Sequence, residues 1–220
     1  MRTVVFDLDG TLADTSGDLI AAANHCFRGL GLGDVLDPAR DAGTALRGGR
    51  AMLNLGFDRV DGFGAAEVDR QYPILLEAYA EQLDTHTYLY DGAMEAVDVL
   101  KRAGDAVAIC TNKPFALAED LMTRLGVRHM FDALLGADSL PVRKPDPKHL
   151  IETARQAGGD PSRMLLVGDT KTDRDTAANA GVPSVLVTFG PGGGDMAALA
   201  PEALLKSYAD LPAIVDQLLP

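Results

Sequence analysis

Four short apolar runs divide the chain, and none of them alternates with polar residues. They cover residues 3–6, 106–110, 164–167 and 184–189, and each is rich in Val, Ile or Leu. A strand with one face in water shows alternation, whereas a strand covered on both faces does not. The pattern therefore predicts strands of a parallel sheet with helices on both faces.

Signals for helix starts and ends lie between these runs. Asp146 followed by Pro147 is typical of an N-cap and a first helical residue, and Gly158 marks the predicted end of that helix. Similar signals predict helices over about 91–104, with Asp91 as the cap, 114–126 and 172–181. Strands that alternate with helices indicate βαβ units, so we expect an α/β fold with a doubly wound parallel sheet.

The stretch from about residue 15 to residue 85 breaks this alternation. Helical spacing covers 19–28, 38–46 and 65–83, and the stretch contains no convincing strand. An ordinary connection between strands is far shorter. We therefore predict a small helical domain at 15–85, inserted into an α/β core made of 1–14 and 86–220. A long crossover connection is the alternative.

Composition limits the partners and the compartment. The 220 residues carry 20 Lys and Arg against 32 Asp and Glu, a net charge of -12 that is a poor match to nucleic acid or an anionic membrane. Cys26 and Cys110 are far apart and form no Cys-x-x-Cys pair, so we expect a reducing cytoplasm and no zinc site. No apolar stretch reaches the ~20 residues that span a bilayer, and the first run is too short for a signal peptide. The glycine-rich stretch 190–194 lacks P-loop spacing and is predicted to be a surface loop.

Acidic residues follow two of the predicted strands. Asp7 and Asp9 come directly after the first run, and the alternation of an extended segment places both on the same side. Two such close carboxylates repel each other unless a cation or a shared proton relieves them. Asp169 and Asp173 follow the third run at the entry to a helix. The alternatives are a solvated turn for the first pair and simple helix capping for the second.

Three further polar residues complete the set. Thr111 and Asn112 follow the second run, and Lys144 lies in an Arg-Lys-Pro loop, where a lysine is usually just an exposed cation. Ligands of open α/β sheets bind at the carboxyl ends of the strands, so we expect these groups to converge there. Carboxylates suit Mg²⁺, and Lys144 with Thr111 would supply donors for an anion beside it.

The order Asp-x-Asp-Gly-Thr, strand–Thr, Lys-Pro and Gly-Asp-x-x-x-Asp resembles the haloacid dehalogenase superfamily of phosphohydrolases. The resemblance covers essentially the whole chain, and the helical insertion is similar to the C1-type cap of that superfamily. Residues 6–15, 111–114, 143–147, 167–169 and 181–183 are similar to phosphoglycolate phosphatases. The resemblance implies a Rossmann-like core and Mg²⁺-dependent hydrolysis of small phosphate esters, with 2-phosphoglycolate as the first substrate to test.

The resemblance also implies roles for individual residues. Asp7 would be the nucleophile that forms an aspartyl-phosphate, and Asp9 would protonate the leaving alcohol and later deprotonate water. Thr111 and Lys144 would hold the phosphoryl oxygens, and Lys144 would restrain Asp7. The implied phosphate-binding residues are Asp7, Leu8, Asp9, Thr111, Asn112 and Lys144. The implied Mg²⁺ ligands are Asp7, the backbone carbonyl of Asp9, Asp169 and, directly or through water, Asp173.

The helical insertion offers candidates for recognition of the leaving group. Arg47 and Arg50 flank two glycines, and arginine binds carboxylates in two-point fashion. We hypothesise that one of them contacts a carboxylate of the substrate; the alternative is that both are solvated surface arginines. The oligomeric state is predicted only as monomer or homodimer.

Other readings of the motifs remain. Asp9 favours a phosphate ester over a halide, because halide leaves unprotonated, and the absence of lysine between Asp14 and Asp84 argues against cleavage of phosphonates through a Schiff base. A phosphosugar mutase of the β-phosphoglucomutase type, or a phosphatase of pyrophosphate or other small metabolites, remains the alternative. A non-catalytic module would be expected to lack Asp7, Asp9 or Lys144, and a phosphorylatable receiver domain would be smaller and lack a cap.

Overall fold

The computed structural model describes residues 1–191 and 195–220. Residues 192–194, within the glycine-rich stretch predicted to be a loop, lie outside the described residues. The chain divides into two compact units. The core unit comprises Met1–Ala13 and Leu89–Pro220, and the helical unit comprises Asp14–Tyr88. The short strands β2 (Ala13–Asp14) and β3 (Tyr88–Leu89) pair where the chain passes between the units.

A six-stranded sheet forms the centre of the core unit, and all its pairings are parallel. Its strands are β1 (Thr3–Phe6), β4 (Ala106–Cys110), β5 (Ala133–Leu135), β6 (Met164–Gly168), β7 (Ser184–Val187) and β8 (Ala203–Leu205). Their order across the sheet is β5-β4-β1-β6-β7-β8. The predicted α/β fold with a parallel sheet is therefore confirmed.

Within this six-stranded sheet the four predicted strands are the four central ones, and the two that the sequence did not predict are the edges. Every residue of β1, β4, β6 and β7 is buried, which matches their continuous apolar runs. The apolar pattern predicts a last strand that continues to residue 189, but β7 ends at Val187. The edge strands β5 and β8 have only three residues each, too few for a recognisable pattern.

The register of the sheet brings three strand ends together. Phe6, at the end of β1, pairs with Ile109 of β4 on one side and with Val167 of β6 on the other. Because the three strands are parallel, the residues that follow them emerge at the same edge. The loops that carry the predicted motifs therefore start side by side.

The helices of the core unit cover the sheet. They are α5 (Ala93–Arg102), α6 (Phe115–Arg124), α7 (Pro147–Gln156), α8 (Lys171–Ala180) and α9 (Leu211–Leu218). The Asp146 carboxylate accepts a hydrogen bond from Lys148 N, with Pro147 at the first helical position, so that predicted cap is confirmed. The predicted cap of α5 by Asp91 is wrong, because Gly92 occupies the cap position in a left-handed conformation with φ 78°. One buried cluster packs the sheet against α7 and α8: Val5, Cys110, Leu150, Ala154, Met164, Leu166 and Ala177.

The helical unit contains four helices: α1 (Ser16–Gly29), α2 (Pro38–Ala45), α3 (Gly49–Phe57) and α4 (Ala65–Glu81). The predicted helical stretches correspond to α1, α2 and α4, and α3 was missed. Glycine has a low helix propensity, and α3 contains Gly49 and Gly56, so its sequence does not predict a helix. Tertiary packing explains the second glycine, because a Cβ at Gly56 would lie 2.0 Å from the ring of Phe27. Among the described residues, no helix is long and apolar enough to cross a membrane.

Candidate active site

Asp7 lies at the first position after β1, and its carboxylate is held from one side. Its backbone N–H continues the sheet by donating to Val167 O at 2.9 Å. Its Oδ1 accepts a hydrogen bond from Leu8 N at 2.8 Å and lies 2.9 Å from Lys144 Nζ. Its Oδ2 has no hydrogen-bond partner among the residues that the structure describes. One oxygen is therefore fixed while the other is available for a ligand.

The turn after Asp7 bends the chain back within a few residues. Leu12 N donates to Leu8 O at 3.0 Å, and Gly10 N donates to Ala13 O at 2.8 Å. Gly10 adopts φ 80°, a conformation that other residues rarely adopt. The motif therefore needs glycine at this position for backbone geometry, whereas the carboxylates on either side carry the chemistry.

Lys144 brings a buried ammonium to the edge of the sheet. Its Nζ lies 2.9 Å from Asp7 Oδ1 and 2.6 Å from Asp173 Oδ1, and only 3% of the residue is exposed. Asn112 Nδ2 donates to the backbone carbonyl of Lys144 at 3.0 Å and so holds its loop. The reading of Lys144 as an exposed loop cation is wrong, because two carboxylates draw the ammonium into the site.

Asp169 and Asp173 occupy the end of β6 and the first turn of α8. Asp169 Oδ1 accepts from Thr11 Oγ1 at 3.0 Å, whereas its Oδ2 is buried and has no hydrogen-bond partner in residues 1–191 and 195–220. Asp173 Oδ2 accepts from Thr170 N at 3.0 Å and from Thr170 Oγ1 at 2.6 Å, in a capping box. The capping reading of Asp173 is thus confirmed, and the same side chain also pairs with Lys144 through its other oxygen.

The carboxylates of Asp7, Asp169 and Asp173 form a cluster that fits a hard cation. One oxygen from each lies within 4.8 Å of the other two, and all three residues are buried. A buried carboxylate oxygen without a partner, such as Asp169 Oδ2, is costly unless a ligand satisfies it. Oxygen donors of this type suit Mg²⁺. Both oxygens of Asp173 already have partners, so Asp7 and Asp169 are the better placed for direct contact with an ion.

The electrostatics of the cluster show an excess of negative charge. Burial raises the pKa of Asp7 to about 6; Lys144 opposes this shift, and the carboxylates of Asp173 and Asp9 add to it. Burial, together with the charges of Asp173 and Asp7, raises the pKa of Asp169 well above its ordinary value. Burial alone would lower the pKa of Lys144, but Asp173 and Asp7 raise it, so its ammonium stays charged. One cation for three carboxylates leaves the cluster short of positive charge.

The end of β4 contributes Thr111 and a lysine that the sequence did not single out for a role. Thr111 is buried, its backbone N donates to Leu135 O at 3.0 Å, and its Oγ1 accepts from Lys113 N at 3.1 Å. Lys113 Nζ lies 2.8 Å from Asp9 Oδ1. The spacing of Thr111, Asn112 and Lys113 gives no signal for this contact, because the partner is 104 residues away.

The two arginines of the helical unit differ in their surroundings. Arg50 Nη1 lies 2.7 Å from Asp69 Oδ1, and its guanidinium lies over the ring of Tyr72 at 4.5 Å. Arg47 is exposed, and its guanidinium has no hydrogen-bond or ion-pair partner among the described residues. The contact of either residue with a substrate stays a prediction.

Comparisons with known proteins point to one family. The profile of the haloacid dehalogenase-like hydrolases matches residues 4–187. A phosphoglycolate phosphatase from Agrobacterium fabrum is 37% identical over 218 residues, covering 97% of this chain and 92% of that protein. A phosphoglycolate phosphatase from Mesorhizobium japonicum is 39% identical over 206 residues, with 93% and 90% covered. A crystal structure described as a predicted phosphoglycolate phosphatase from Haemophilus somnus superposes with a TM-score of 0.85 at 26% identity, covering 97% of each chain.

Proposed function

The chain belongs to the haloacid dehalogenase-like hydrolases, as the motifs predicted, and is a phosphoric monoester hydrolase; from this premise we propose that it hydrolyses small phosphorylated metabolites through an aspartyl-phosphate on Asp7. The observation that carries the proposal is the meeting of Asp7, Lys144, Asp169 and Asp173 at one edge of the sheet. The names of the relatives make 2-phosphoglycolate the first substrate to test.

The proposed chemistry begins at Asp7. Lys144 and Leu8 N both hold Oδ1, which leaves Oδ2 to attack phosphorus. As the Oδ2–phosphorus bond forms, the bond from phosphorus to the leaving oxygen breaks, and Asp9 gives that oxygen a proton. A carboxylate nucleophile in this way divides one difficult displacement into two easier ones.

The second half-reaction restores the enzyme. Asp9 takes a proton from water as the water oxygen attacks phosphorus, and the bond from phosphorus to Asp7 Oδ2 breaks. Inorganic phosphate leaves, and both carboxylates return to their starting state. Lys144 and Thr111 are proposed to bind phosphoryl oxygens, where positioning and compensation of charge provide most of the catalysis.

A divalent cation completes the proposed site. Asp7, Asp169 and the backbone carbonyl of Asp9 would hold Mg²⁺, with Asp173 directly or through water. When bound, the ion supplies the positive charge that offsets repulsion between a carboxylate and a phosphate dianion. The buried, unpartnered Asp169 Oδ2 supports this assignment.

We propose that the helical unit is the cap of this enzyme, which closes to exclude water during turnover. Arg47 is the stronger candidate for a substrate carboxylate, because Arg50 already has partners in Asp69 and Tyr72. Arg47→Ala should therefore raise KM for 2-phosphoglycolate more than Arg50→Ala does. Equal, negligible effects of both variants would overturn this part of the proposal.

A phosphate-release assay tests the proposed function. The panel is 2-phosphoglycolate, glycerol 3-phosphate, glucose 6-phosphate, 4-nitrophenyl phosphate and pyrophosphate, each with and without Mg²⁺. We expect release by the wild type and none by Asp7→Asn, whereas Asp175→Asn removes only a surface ion pair with Lys171 and should keep the rate. We also expect a mass increase of one phosphoryl group on the wild-type chain during turnover, and none on Asp7→Asn.

Two results would contradict the proposal. Conversion of β-glucose 1-phosphate to glucose 6-phosphate in the presence of a bisphosphate activator, without phosphate release, would identify a mutase. If every other ester of the panel is hydrolysed faster than 2-phosphoglycolate, the protein is still a phosphatase, but 2-phosphoglycolate is not its preferred substrate.

A further inference from the structure

A second buried lysine contacts the other carboxylate of the first motif. Lys113 Nζ lies 2.8 Å from Asp9 Oδ1, and the two side chains are 3% and 16% exposed. The backbone of Lys113 is fixed at both ends, since its N–H donates to Thr111 Oγ1 at 3.1 Å and its carbonyl accepts from Ala137 N at 2.9 Å. The ammonium therefore reaches Asp9 from a rigid part of the core unit.

The two buried lysines serve different carboxylates. Lys144 contacts Asp7 and Asp173, whereas Lys113 contacts Asp9. Asp9 lies in a tight turn beside Gly10, and its carboxylate is joined to the backbone by two rotatable bonds. A charge-assisted hydrogen bond is both shorter and stronger than a neutral one, so this contact restricts those rotations.

We propose that Lys113 is a positioning residue that holds the Asp9 carboxylate in the orientation required for proton transfer to the leaving oxygen. This inference rests on the proposed function, in which Asp9 gives a proton to that oxygen. Lys113 itself exchanges no proton in the reaction and breaks no bond. Misplacement of a catalytic group by about 1 Å can cost about 100-fold in rate.

The inference makes a prediction that depends on the leaving group. An alkoxide leaves poorly unless it is protonated, whereas 4-nitrophenolate leaves readily as an anion. Loss of Lys113 should therefore slow the cleavage of alkyl phosphates and largely spare 4-nitrophenyl phosphate. A purely structural role would slow both to the same degree.

The experiment compares Lys113→Met, Lys113→Arg and the control Lys101→Met, which breaks a half-exposed pair with Asp132. The readout is kcat/KM, which reports the steps up to phosphorylation of Asp7. Three substrates are compared: 2-phosphoglycolate, 4-nitrophenyl phosphate, and whichever of glycerol 3-phosphate and glucose 6-phosphate has the higher kcat/KM, since the leaving alcohol of these two esters carries no charge. For Lys113→Met we expect a loss of about 10–100-fold with both alkyl esters and less than about 3-fold with the aryl ester, as expected for lost acid assistance. Lys113→Arg should recover most of the loss, and Lys101→Met should match the wild type. If Lys113→Met does not fold, the same comparison with Lys113→Gln decides.

A double-mutant cycle with Asp9→Asn tests whether Lys113 acts through Asp9. If it does, Lys113→Met causes no further loss with the alkyl esters in the Asp9→Asn background. Three results would overturn the inference: equal loss with all three substrates, loss with 2-phosphoglycolate alone, which would assign Lys113 to the substrate carboxylate, or additive effects in the cycle. A wild-type chain that releases phosphate from none of the panel would instead reject the proposed function itself.

Discussion

Replacing Lys144 with methionine removes the only ammonium that contacts Asp7 and Asp173 among the residues the structure describes. Methionine is similarly long and unbranched, so the main change is the loss of charge and of two hydrogen-bonded contacts at 2.9 and 2.6 Å. Both carboxylates are then left buried, with Asp169 close by.

The expected cost follows from burial. Removal of one partner from a buried ion pair typically costs about 3–5 kcal/mol. Lys144 has two carboxylate partners, so we expect the free energy of unfolding at pH about 8, without divalent cations, to fall by about 4–5 kcal/mol.

The loss should depend on pH. The pKa of Asp7 is already raised to about 6 in the folded protein, and Lys144 is the nearest group that lowers it. A carboxyl with a raised pKa stabilises the fold below its unfolded pKa, and this contribution is lost as pH rises through the folded value. Without Lys144 the Asp7 carboxyl stays protonated to higher pH, so the deficit of Lys144→Met should be small near pH 5 and grow toward pH 8.

Urea unfolding of the wild type, Lys144→Met and Lys101→Met at several pH values measures this effect. The control should lose at most about 1 kcal/mol, because its ion pair with Asp132 is half-exposed. Added Mg²⁺ should restore part of the stability of Lys144→Met, since a cation would replace the missing charge. A deficit below about 1 kcal/mol at pH 8, or one independent of pH, would refute the reasoning.

Three further predictions concern other parts of the molecule. Arg59→Met should lower the free energy of unfolding by about 2 kcal/mol at pH 7, because Arg59 donates to both carboxylate oxygens of buried Asp41, at 2.6 and 2.7 Å. Hydrogen bonding from Arg59 lowers the pKa of Asp41. The loss of stability in Arg59→Met should therefore shrink as pH falls below 3.8, the ordinary pKa of this carboxyl. An undiminished loss of stability at such low pH would contradict the role of Arg59. Gly56→Ala should lower the free energy of unfolding by about 1–3 kcal/mol, because the added Cβ overlaps the ring of Phe27. In the control Gly29→Ala the added Cβ has nothing within 4 Å, so this variant should be neutral or slightly more stable than the wild type. Equal melting temperatures of the two variants would disprove the packing argument. Removal of divalent cations by a chelator should abolish phosphate release and Mg²⁺ should restore it, whereas a chelated enzyme at full rate would reject the metal site.

The sequence by itself determined the central sheet and the order of the motifs. Continuous apolar runs of four or more residues identify strands covered on both faces, and all four such runs became central strands. Parallel pairing then requires that residues after these strands emerge at one edge. The positions of Asp7, Thr111 and Asp169 at that edge therefore follow from local pattern and general topology.

Only the tertiary structure decided what local pattern does not encode. The edge strands β5 and β8 are stabilised by pairing with a neighbour, and helix α3 tolerates Gly56 because the Phe27 ring packs there. The contact of Lys113 with Asp9 depends on the path of two loops 104 residues apart and on the rotamers at their ends. Such contacts depend on distances across the folded core rather than on spacing along the chain. The motifs therefore predict where the site lies, but only the folded structure shows which lysine contacts which carboxylate.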